Sequence, residues 1–444
     1  MVIGSGGREH AISWALAKSP KVTEIICVPG NGGTATEKKC RNVNPSECDY
    51  LSNVCKEEFY TTIAKQENCD MVVVGPEDPL AEGVADRLWN AGFPVVGPKS
   101  KAAALEASKD TAKNFMQKHG VACAQSRTFY NVQEAKDYIL KHGSPIVIKA
   151  DGLAAGKGVV VAATEKEALS AVEEFMTKKT LGNAGNKLVI EEYLQGTEIS
   201  ILAAVSVTPE AVSTGKACIV PFLPARDHKR LLDGAKGPNT GGMGAVAPLP
   251  DVTSQQLDEF EKTILQPTLN GMIEEKMDYR GFIFFGLMLT KEGPKLLEYN
   301  VRLGDPETQA VLPLMDFDFA DLCKAITNEN LSAFNFAWKP GFVCAPVVVS
   351  GGYPLKYKKG IPLSLPEHTN PNVKIFIAGA HIDRRNTGIG LVTNGGRVLA
   401  TSAYGDTPEN ARELAYSTME KIFFDDMFFR KDIGLPGAAE SGEL

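Results

Sequence analysis

The first hundred residues alternate short apolar runs with segments of helical character. The apolar runs cover residues 1–3, 25–28, 71–74 and 94–96, and each ends at a glycine, a Gly-Pro pair or a Pro-Gly pair. Continuous apolar strands separated by helices predict a doubly wound α/β sheet with parallel strands. Ligands bind such sheets at the carboxyl ends of the strands, so the glycine-rich segments there predict a binding crevice.

From about Ser108 the pattern changes to shorter β-rich segments, which predict a small α+β lobe followed by a larger lobe up to about Leu331. The mixture of helices and strands in this part is typical of α+β domains. The predicted elements are a helix over 109–119, strands over 146–149, 159–163 and 188–191, a helix over 165–178, and strands over 282–289 and 295–299.

The last hundred residues predict a third, small α+β unit. An apolar strand over 347–349 ends at Ser350, and Asn394-Gly395 between two apolar segments predicts a β-hairpin. The small and polar residues from Gly437 to Leu444 predict a frayed tail. The predicted division of the chain is therefore 1–107, 108–332 with a small lobe over about 122–194, 333–437, and a tail over 438–444.

Composition narrows the class of protein. The chain has 444 residues and a formal net charge of −7, which disfavours a nucleic-acid partner because phosphate backbones need a basic face. Its nine cysteines are scattered without a C-x-x-C pair, so free thiols in a reducing compartment are expected rather than a zinc site or disulfides. No signal peptide and no long apolar run is visible, which predicts a cytoplasmic protein without a membrane partner.

The first glycine-rich segment runs from Gly4 to Gly7 and is followed by Arg8 and Glu9. It follows a strand and opens a helix, as a dinucleotide-binding fingerprint does, but Glu9 stands where that fingerprint needs a small residue. A nicotinamide site is therefore disfavoured. Two interpretations stay open: a phosphate or phosphosugar bound at the helix N-terminus, and a tight structural turn.

A second glycine-rich segment, residues 151–158, lies between two predicted strands. It is not a Walker loop, because three residues rather than four separate Gly152 from Gly156, and because Gly158 replaces the magnesium-binding Ser or Thr. A glycine-rich turn can nevertheless fold over phosphates with its N–H groups and a lysine. With Lys149 as a second cation the segment predicts a triphosphate site, and a plain hairpin turn is the alternative.

Two acidic segments offer further candidates. Residues 191–194 end an apolar strand, and Glu198 follows; together they could bind an adenine edge and ribose hydroxyls, although exposed glutamates at a strand end are common. More specific are Glu298, Asn300 and Arg302, which strand alternation places on one face. A carboxylate and an amide oxygen suit Mg²⁺, and an arginine suits a phosphoryl or acyl-phosphate group. An exposed polar strand face is the alternative.

The charged segment 226–230 and the glycine-rich segment 237–244 lie close together in the chain. A solvated loop is the usual explanation of a charge run. A glycine-rich segment so near favours a substrate-binding loop instead, and both interpretations are retained.

Together these segments resemble the glycinamide ribonucleotide synthetase (phosphoribosylamine–glycine ligase) family of the ATP-grasp superfamily. The resemblance covers nearly the whole chain, and its most specific segments are 149–158, 227–230, 239–244 and 302–307. It implies a doubly wound pre-ATP-grasp domain, a two-lobed α+β ATP-grasp body and a small C-terminal α+β domain. It also implies a ligase of purine biosynthesis that joins glycine to 5-phospho-β-D-ribosylamine through a glycyl phosphate, with ATP converted to ADP and phosphate.

The resemblance further implies roles for individual residues. Glu298 and Asn300 would bind Mg²⁺ or Mn²⁺, and Arg302, Asp227 and Lys229 would be catalytic. The residues implied to bind ATP are Lys109, Lys149, Gly156, Lys157, Gly158, Glu191, Glu192, Tyr193, Leu194 and Glu198. Those implied to bind glycine and phosphoribosylamine are Gly6, Gly7, Arg8, Gly75, Pro76, Glu77, His228, Gly241, Gly242, Met243, Gly304, Asp305 and Pro306.

Two departures from the family's pattern concern the metal and the substrate crevice. The predicted strand 282–289 carries no acid, so Glu298 would bridge two ions or hold one ion alone. Asp78 follows Glu77 where a small residue is usual, and we expect its carboxylate to point away from a phosphosugar. Another ATP-grasp ligase or a carboxylase is the alternative enzyme, a nucleotide-binding regulatory module is more distant, and a monomer or weak homodimer is expected.

Overall fold

The structure is a computed structural model that describes residues 1–153, 158–367, 369–383 and 390–438. Its first part combines short strands with helices. The strands are β1 (Val2–Gly4), β2 (Ile25–Pro29), β3 (Cys40–Asn42), β4 (Val72–Val74) and β5 (Val95–Val96). The helices are α1 (Gly7–Lys18), α2 (Phe59–Gln66), α3 (Glu77–Ala81), α4 (Val84–Asn90), α5 (Ser100–Ala107) and α6 (Lys109–Lys118).

Both faces of this first sheet are buried. Val72 and Val74 belong to the apolar cluster that contains Leu88 of α4, whereas Val73 between them belongs to the cluster that contains Ile12 of α1. The strands pair in parallel in the order β3-β2-β1-β4-β5, which confirms the predicted doubly wound sheet. Strand β3 was not predicted, because this edge strand lacks an apolar run. The strand order reverses between β1 and β4, where ligands of such sheets bind.

The small lobe is an antiparallel sheet with two helices. Its strands pair in the order β6-β9-β7-β8, and β7 and β8 form a hairpin around residues 151–158. The predicted helix over 165–178 is α-helical as far as Val172 and continues as a π-helical turn over Glu173–Thr177. The elements are β6 (Ser126–Phe129), α7 (Val132–His142), β7 (Ile146–Ala150), β8 (Val159–Ala162), α8 (Glu165–Val172) and β9 (Leu188–Glu192).

The larger lobe is built on long antiparallel strands. Its elements are β10 (Thr197–Val207), α9 (Pro209–Ser213), β11 (Cys218–Asp227), β12 (Arg230–Leu232), β13 (Lys236–Asn239), β14 (Gly244–Ala247), α10 (Ser254–Phe260), α11 (Gln266–Glu274), β15 (Tyr279–Thr290), β16 (Gly293–Asn300), α12 (Glu307–Val311) and α13 (Phe319–Thr327). The central strands β10 and β11 were not predicted. Continuous apolar runs such as that of β10 are compatible with a buried helix as well as a strand, so periodicity does not separate the two.

The C-terminal part extends the sheet of the larger lobe. Its elements are β17 (Phe342–Ser350), β18 (Pro362–Leu363), β19 (Val373–Ile377), β20 (Ala380–Asp383), β21 (Gly390–Thr393), β22 (Arg397–Gly405), α14 (Pro408–Met419) and β23 (Met427–Phe428). Strand β14 pairs with β17, so one sheet runs in the order β16-β15-β10-β11-β14-β17-β22-β19, with β23 also paired to β17. A separate small sheet has the order β18-β21-β20.

The hairpin predicted at Asn394-Gly395 is wrong. The strands on either side, β21 and β22, belong to different sheets and do not pair with each other. Both residues lie outside the left-handed region that the usual Asn-Gly hairpin turn requires. The segment instead crosses from one sheet to the other, with the N–H of Asn394 donating to the carbonyl of Gly379 over 2.7 Å.

Two expectations based on composition can be compared with the structure. The nine cysteines are free thiols, as predicted. Within the ranges that the structure describes, no helix combines the length and the apolar character needed to cross a bilayer.

Candidate active site

Lys149 lies on β7 and forms an ion pair with Glu191 on the neighbouring strand β9. Its Nζ lies 3.0 Å from Oε1 of Glu191 and 3.4 Å from the carbonyl oxygen of Leu297 in the larger lobe. A second lysine, Lys113 of α6, places its Nζ 3.2 Å from Oε2 of the same glutamate. The side chains of Lys149, Glu191 and Lys113 are only 9%, 2% and 4% exposed, so this charged cluster is buried.

A β-bulge in β16 shapes the opposite side of the cleft. Gly286 of β15 pairs with Glu298, and the next residue of β15 pairs with Leu296, so Leu297 is the extra residue. Its carbonyl accepts from Lys149, as described above. Beyond the bulge Tyr299 is buried, whereas the side chains that precede and follow it are only partly buried. This alternation agrees with the predicted common face of Glu298, Asn300 and Arg302.

Glu298 lies among four cations. Burial raises the pKa of Glu298. The four cations Lys229, Lys149, Lys109 and Arg302 lower this pKa by more than burial raises it, so it lies below the ordinary value. The carboxylate is therefore ionised at neutral pH. A single acid surrounded by lysines and an arginine is suited to a polyanionic ligand that arrives with its own cation.

Glu298 and Asn300 fit a hard divalent cation. The amide nitrogen of Asn300 donates to the carbonyl of Tyr299 over 2.9 Å, which leaves the amide oxygen available as a metal ligand, two residues from the ionised carboxylate of Glu298. Among the described residues no group of three or more His, Cys, Asp or Glu side chains could hold a metal ion. Two oxygen ligands suit Mg²⁺, which commonly keeps water and substrate phosphate oxygens as its remaining ligands.

The base of the 151–158 loop is attached to the N-terminus of α6. Asp151 accepts from the hydroxyl of Ser108 and from the N–H of Asp110, each over 3.0 Å, and Lys109 donates to the carbonyl of Gly152 over 3.1 Å. At the other end of the loop, Gly158 accepts from the N–H of Ala150 over 2.8 Å. The predicted phosphate ligands Gly156 and Lys157 lie outside the described residues.

The two glutamates at the end of β9 face opposite sides. Glu191 is buried with the lysines, whereas Glu192 is exposed and accepts from the N–H of Gln125 over 2.8 Å. Tyr193 and Leu194 are partly buried in the connection to β10. Strand alternation therefore buries the side chain of Glu191 and exposes that of Glu192. The predicted ATP contacts of Glu192, Tyr193 and Leu194 stay predictions.

Lys229 connects the charged segment to Glu198 at the start of β10. Its Nζ lies 2.6 Å from Oε2 of Glu198. Burial lowers the pKa of Lys229, but Glu198, Glu298 and Asp227 raise it, so that it lies above the ordinary value and the side chain is a permanent cation. The hydroxyl of Thr240 donates to the Lys229 carbonyl over 2.7 Å, which joins the charged segment to the glycine-rich segment.

Position 242 requires glycine, because both its backbone conformation and the space around it disfavour a larger residue. Its φ is +112°, and an added Cβ would lie 2.5 Å from Cδ of Pro306 and 2.6 Å from Oδ1 of Asp227. The two neighbouring predicted site residues are in the core: Met243 is 0% and His228 2% exposed. Because both side chains are buried, neither offers an exposed surface to a substrate. Their predicted substrate contacts stay predictions.

The buried imidazole of His228 helps to hold the same segment. Its Nδ1 lies 3.2 Å from the carbonyl of Gly244. Burial lowers the pKa of His228 to about 4, and Arg430 contributes to the lowering, so the ring is neutral. These contacts favour a positioning role for His228.

The N-terminus of α1 is occupied by carboxylates of the chain itself. The N–H of Gly6 donates to Glu9, and the N–H of Arg8 lies 3.3 Å from Oδ2 of Asp305. An added Cβ at Gly75 would lie 2.1 Å from Oε1 of Glu9, so this carboxylate fills the space between β1 and β4. Because these donors already have acidic partners, the structure favours the structural turn over an anion site at this helix N-terminus.

Arg302 is held by two carboxylates from the first part of the chain. Its Nε donates to Oε2 of Glu77 over 3.2 Å, and its NH2 lies 2.9 Å from Oε1 of Glu106. Arg8 lies 3.9 Å from the same oxygen of Glu77. Burial raises the pKa of Glu77, but Arg302 and Arg8 lower it below its ordinary value. Asp78 is exposed, as expected for a carboxylate that points away.

Two C-terminal residues that the sequence analysis missed contact the substrate side of the cleft. Arg397 donates to the carbonyl of Gly241 and, over 2.6 Å, to the carbonyl of Asp305. The hydroxyl of Tyr353 accepts from the N–H of Gly241 over 2.8 Å. In the sequence Arg397 only follows a glycine pair at the start of a strand, and nothing in that pattern indicates a contact with residues far away in the chain.

Three family models match successive parts of the chain. They are the N domain of phosphoribosylglycinamide synthetase over residues 1–106, its ATP-grasp (A) domain over 107–308 and its C domain over 343–436. The chain belongs to the phosphoribosylglycinamide synthetase family. The predicted family and the predicted three-part α/β architecture are thereby confirmed.

Two relatives named phosphoribosylamine–glycine ligase match over nearly their whole length. The phosphoribosylamine–glycine ligase of Clostridium acetobutylicum is 47% identical over 434 residues, which cover 98% of this chain and 99% of that protein. The crystal structure of the phosphoribosylamine–glycine ligase from Thermotoga maritima has a TM-score of 0.80 at 34% identity, and the match covers 97% of this chain and 99% of that chain.

A more distant likeness concerns the fold alone. The biotin carboxylase domain of the 2-oxoglutarate carboxylase from Hydrogenobacter thermophilus, solved with MgADP, ADP and bicarbonate, has a TM-score of 0.70 at 15% identity. The match covers 96% of this chain and 91% of that chain. This chain therefore shares its fold with a biotin carboxylase domain, and the fold alone does not determine the substrate.

Proposed function

We propose that this chain is an ATP-dependent ligase of purine biosynthesis that joins glycine to 5-phospho-β-D-ribosylamine, giving glycinamide ribonucleotide, ADP and phosphate. The relatives at 42–47% identity are named phosphoribosylamine–glycine ligases, which supports the proposal. The observation that carries it in this chain is the ionised Glu298 among Lys109, Lys149, Lys229 and Arg302. This arrangement suits a nucleoside triphosphate and an acceptor carboxylate.

The triphosphate would lie between the β7–β8 hairpin and β16. Lys149 and Lys109 would bind its phosphate oxygens from the small-lobe side, together with the loop that contains Lys157. Glu298 and Asn300 would hold the divalent cation, Mg²⁺ or Mn²⁺, which when bound neutralises charge between the β- and γ-phosphates. The residues at the end of β9 would receive the adenine ring and the ribose.

Glycine must be activated because its carboxylate is a poor electrophile. A carboxylate oxygen attacks the γ-phosphorus, the bond from that phosphorus to the bridging oxygen of ADP breaks, and glycyl phosphate forms with a good leaving group. Arg302 would stabilise this acyl phosphate, and its contacts with Glu77 and Glu106 at the end of β16 support the proposal. Lys229 and Asp227 would orient glycine from the opposite segment.

Phosphoribosylamine would then attack the acyl carbon through its unprotonated amine and release phosphate. The crevice between β1 and β4 contains Arg8 and Arg302, but also Glu9, Glu77 and Asp305. Its charge therefore suits the amine and hydroxyl groups of the sugar better than the phosphate. Gly241, which Arg397 and Tyr353 contact, would line the same side together with Gly242.

Substrate omission tests the proposal most broadly. We expect sustained ADP release with ATP, glycine and phosphoribosylamine together, and a large loss when either glycine or phosphoribosylamine is left out. Mass spectrometry should identify glycinamide ribonucleotide as the product. Equal ADP release with neither co-substrate, or with bicarbonate instead, would point to a different ATP-grasp reaction and contradict the proposal.

Several accompanying properties belong to the same proposal. The expected location is the cytoplasm, and the expected assembly is a monomer or a weak homodimer. Metal analysis of the purified protein with ATP present, and its mass in solution, would test the cation and the assembly.

A further inference from the structure

Lys113 is a buried lysine for which the reaction described above has no role. It lies on α6, four residues after Lys109, and is 3% exposed. Residues four apart on a helix share a face, so α6 presents two lysines to the cleft from successive turns. Lys109 reaches the carbonyl of Gly152, and Lys113 reaches Oε2 of Glu191 at 3.2 Å.

The cluster around Glu191 contains two ammonium groups and one carboxylate. The Nζ of Lys149 lies 3.0 Å from Oε1 of Glu191, and the Nζ of Lys113 lies 3.2 Å from Oε2. Lys149 is also the lysine that reaches across to Leu297 and lowers the pKa of Glu298, so it faces the ligand side of the cluster. When Lys149 turns to a phosphate oxygen, Glu191 stays buried and needs another cation.

We infer that Lys113 is a positioning residue of the nucleotide site: it retains the Glu191 carboxylate and thereby releases Lys149 for the phosphates of ATP. Without the Lys113 ammonium, Lys149 would be the remaining ion-pair partner of Glu191 among the described residues, and ATP would have to compete with a buried carboxylate for that lysine. The inference rests on the proposed function only in taking ATP as the ligand of Lys149.

The test measures the affinity of a non-hydrolysable β,γ-imido analogue of ATP, with Mg²⁺, by isothermal titration calorimetry. We expect Lys113→Met to weaken binding by roughly tenfold or more, within the range typical of coupled neighbouring residues. Lys113→Arg, which keeps the charge, should restore most of the affinity. Lys118→Met is the matched control, because Lys118 lies on the same helix and pairs with Glu275 on the surface.

A second background separates this role from a merely structural one. In Glu191→Gln protein no carboxylate competes for Lys149, so adding Lys113→Met should change the affinity by no more than about twofold. This comparison stays informative if Lys113→Met alone folds poorly, because the double variant has no buried carboxylate without a partner. Wild-type affinity in Lys113→Met, or an equal loss of affinity in both backgrounds, would overturn the inference.

The calorimetry also distinguishes this inference from the proposed function. If the wild-type protein fails to bind the analogue, the assignment of an ATP site is itself wrong. If the wild-type protein binds the analogue but the substrate-omission assay fails, the proposed ligase reaction is wrong while the comparison of Lys113 variants remains valid.

Discussion

The two glycine-rich segments of the chain look alike in sequence but have different surroundings. Next to the first, residues 4–7, carboxylates of the chain accept from the N–H groups at the start of α1. Next to the second, residues 151–158, Lys149 and Lys109 face the ionised Glu298, and Asp151 within the segment accepts from the N–H of Asp110. A glycine-rich segment can offer backbone N–H groups to an anion, and the charge of the neighbouring side chains decides whether the anion binds there.

Because of this difference, we expect the first segment to contribute to stability and the second region to contribute to catalysis. Glu9 pairs with the buried guanidinium of Arg8 at 2.6 Å, so the first segment is fixed by contacts within the chain. The cations of the second region converge on Glu298 and together lower the pKa of its carboxylate. Changes at the first segment should therefore reduce stability, and changes in the second region should reduce turnover.

The largest expected effect is the loss of turnover on replacing Glu298. Glu298→Ala removes the acid at the centre of the cations, and we expect kcat to fall by about 10²–10³, as for other preorganised electrostatic groups. Affinity for the imido analogue of ATP should change less. Glu292→Ala, in the exposed turn between β15 and β16, is the matched control and should leave kcat unchanged. Wild-type kcat in Glu298→Ala would refute the assignment of this cleft.

A smaller effect is expected at Gly242. Gly242→Ala would push Pro306 and Asp227 away, and displacing a substrate-orienting group by about 1 Å can cost on the order of 10² in rate. We expect kcat/KM for glycine to fall by about ten- to a hundredfold. Gly92→Ala, at a φ of +90° with no atom within 4 Å of the added Cβ, controls for backbone strain. Equal losses in both variants would mean that strain alone, and not the position of Asp227, is responsible.

At the first glycine-rich segment the expected effect is on stability. Glu9→Gln weakens the partner of buried Arg8 and of the Gly6 N–H, so the free energy of unfolding should fall by about 1–3 kcal/mol. The KM for ATP should stay within about twofold of the wild-type value, because the change is remote from the lysines. Urea unfolding of Glu9→Gln and of the exposed variant Glu24→Gln would measure the difference. A selective rise in the KM for phosphoribosylamine without loss of stability would instead favour a ligand site here.

An effect of similar size, which appears only when the pH is changed, arises from Glu106. Burial raises the pKa of Glu106 to about 7, although Arg302 lowers it. The folded state therefore binds this proton more tightly than the unfolded state, and the resulting stability is complete below about pH 4.5 and is lost as the pH rises through about 7. Relative to Glu106→Gln, wild-type protein should lose on the order of 1–3 kcal/mol between about pH 5 and pH 8. The exposed variant Glu420→Gln should follow the wild-type curve, and parallel curves for all three proteins would contradict the shift.

The sequence predicted what depends on local patterns. Short apolar runs such as residues 72–74 locate the parallel sheet, and alternation after Leu297 places Glu298, Asn300 and Arg302 on one face. The chemistry of these residues follows from their type and spacing, which is why the cleft could be predicted before its geometry was known.

The missed features depend on contacts between distant parts of the chain. Lys113 looks like an ordinary helix lysine until α6 packs next to β9, and Arg397 meets Gly241 only because β14 pairs with β17. The Asn394-Gly395 turn failed as a hairpin prediction because the adjoining strands found partners in separate sheets. In each case tertiary packing, and not local propensity, decides the outcome.

The most direct test of the central claim is isotope transfer from glycine. Glycine labelled with ¹⁸O in its carboxylate is supplied with ATP and phosphoribosylamine, and the phosphate released in one turnover is analysed by mass spectrometry. If the Glu298 cleft transfers the γ-phosphoryl group to glycine, each phosphate should carry one ¹⁸O, and Glu298→Ala should slow the formation of labelled phosphate by about 10²–10³. Unlabelled phosphate formed together with glycinamide ribonucleotide would contradict the acyl-phosphate route and the role assigned to this cleft.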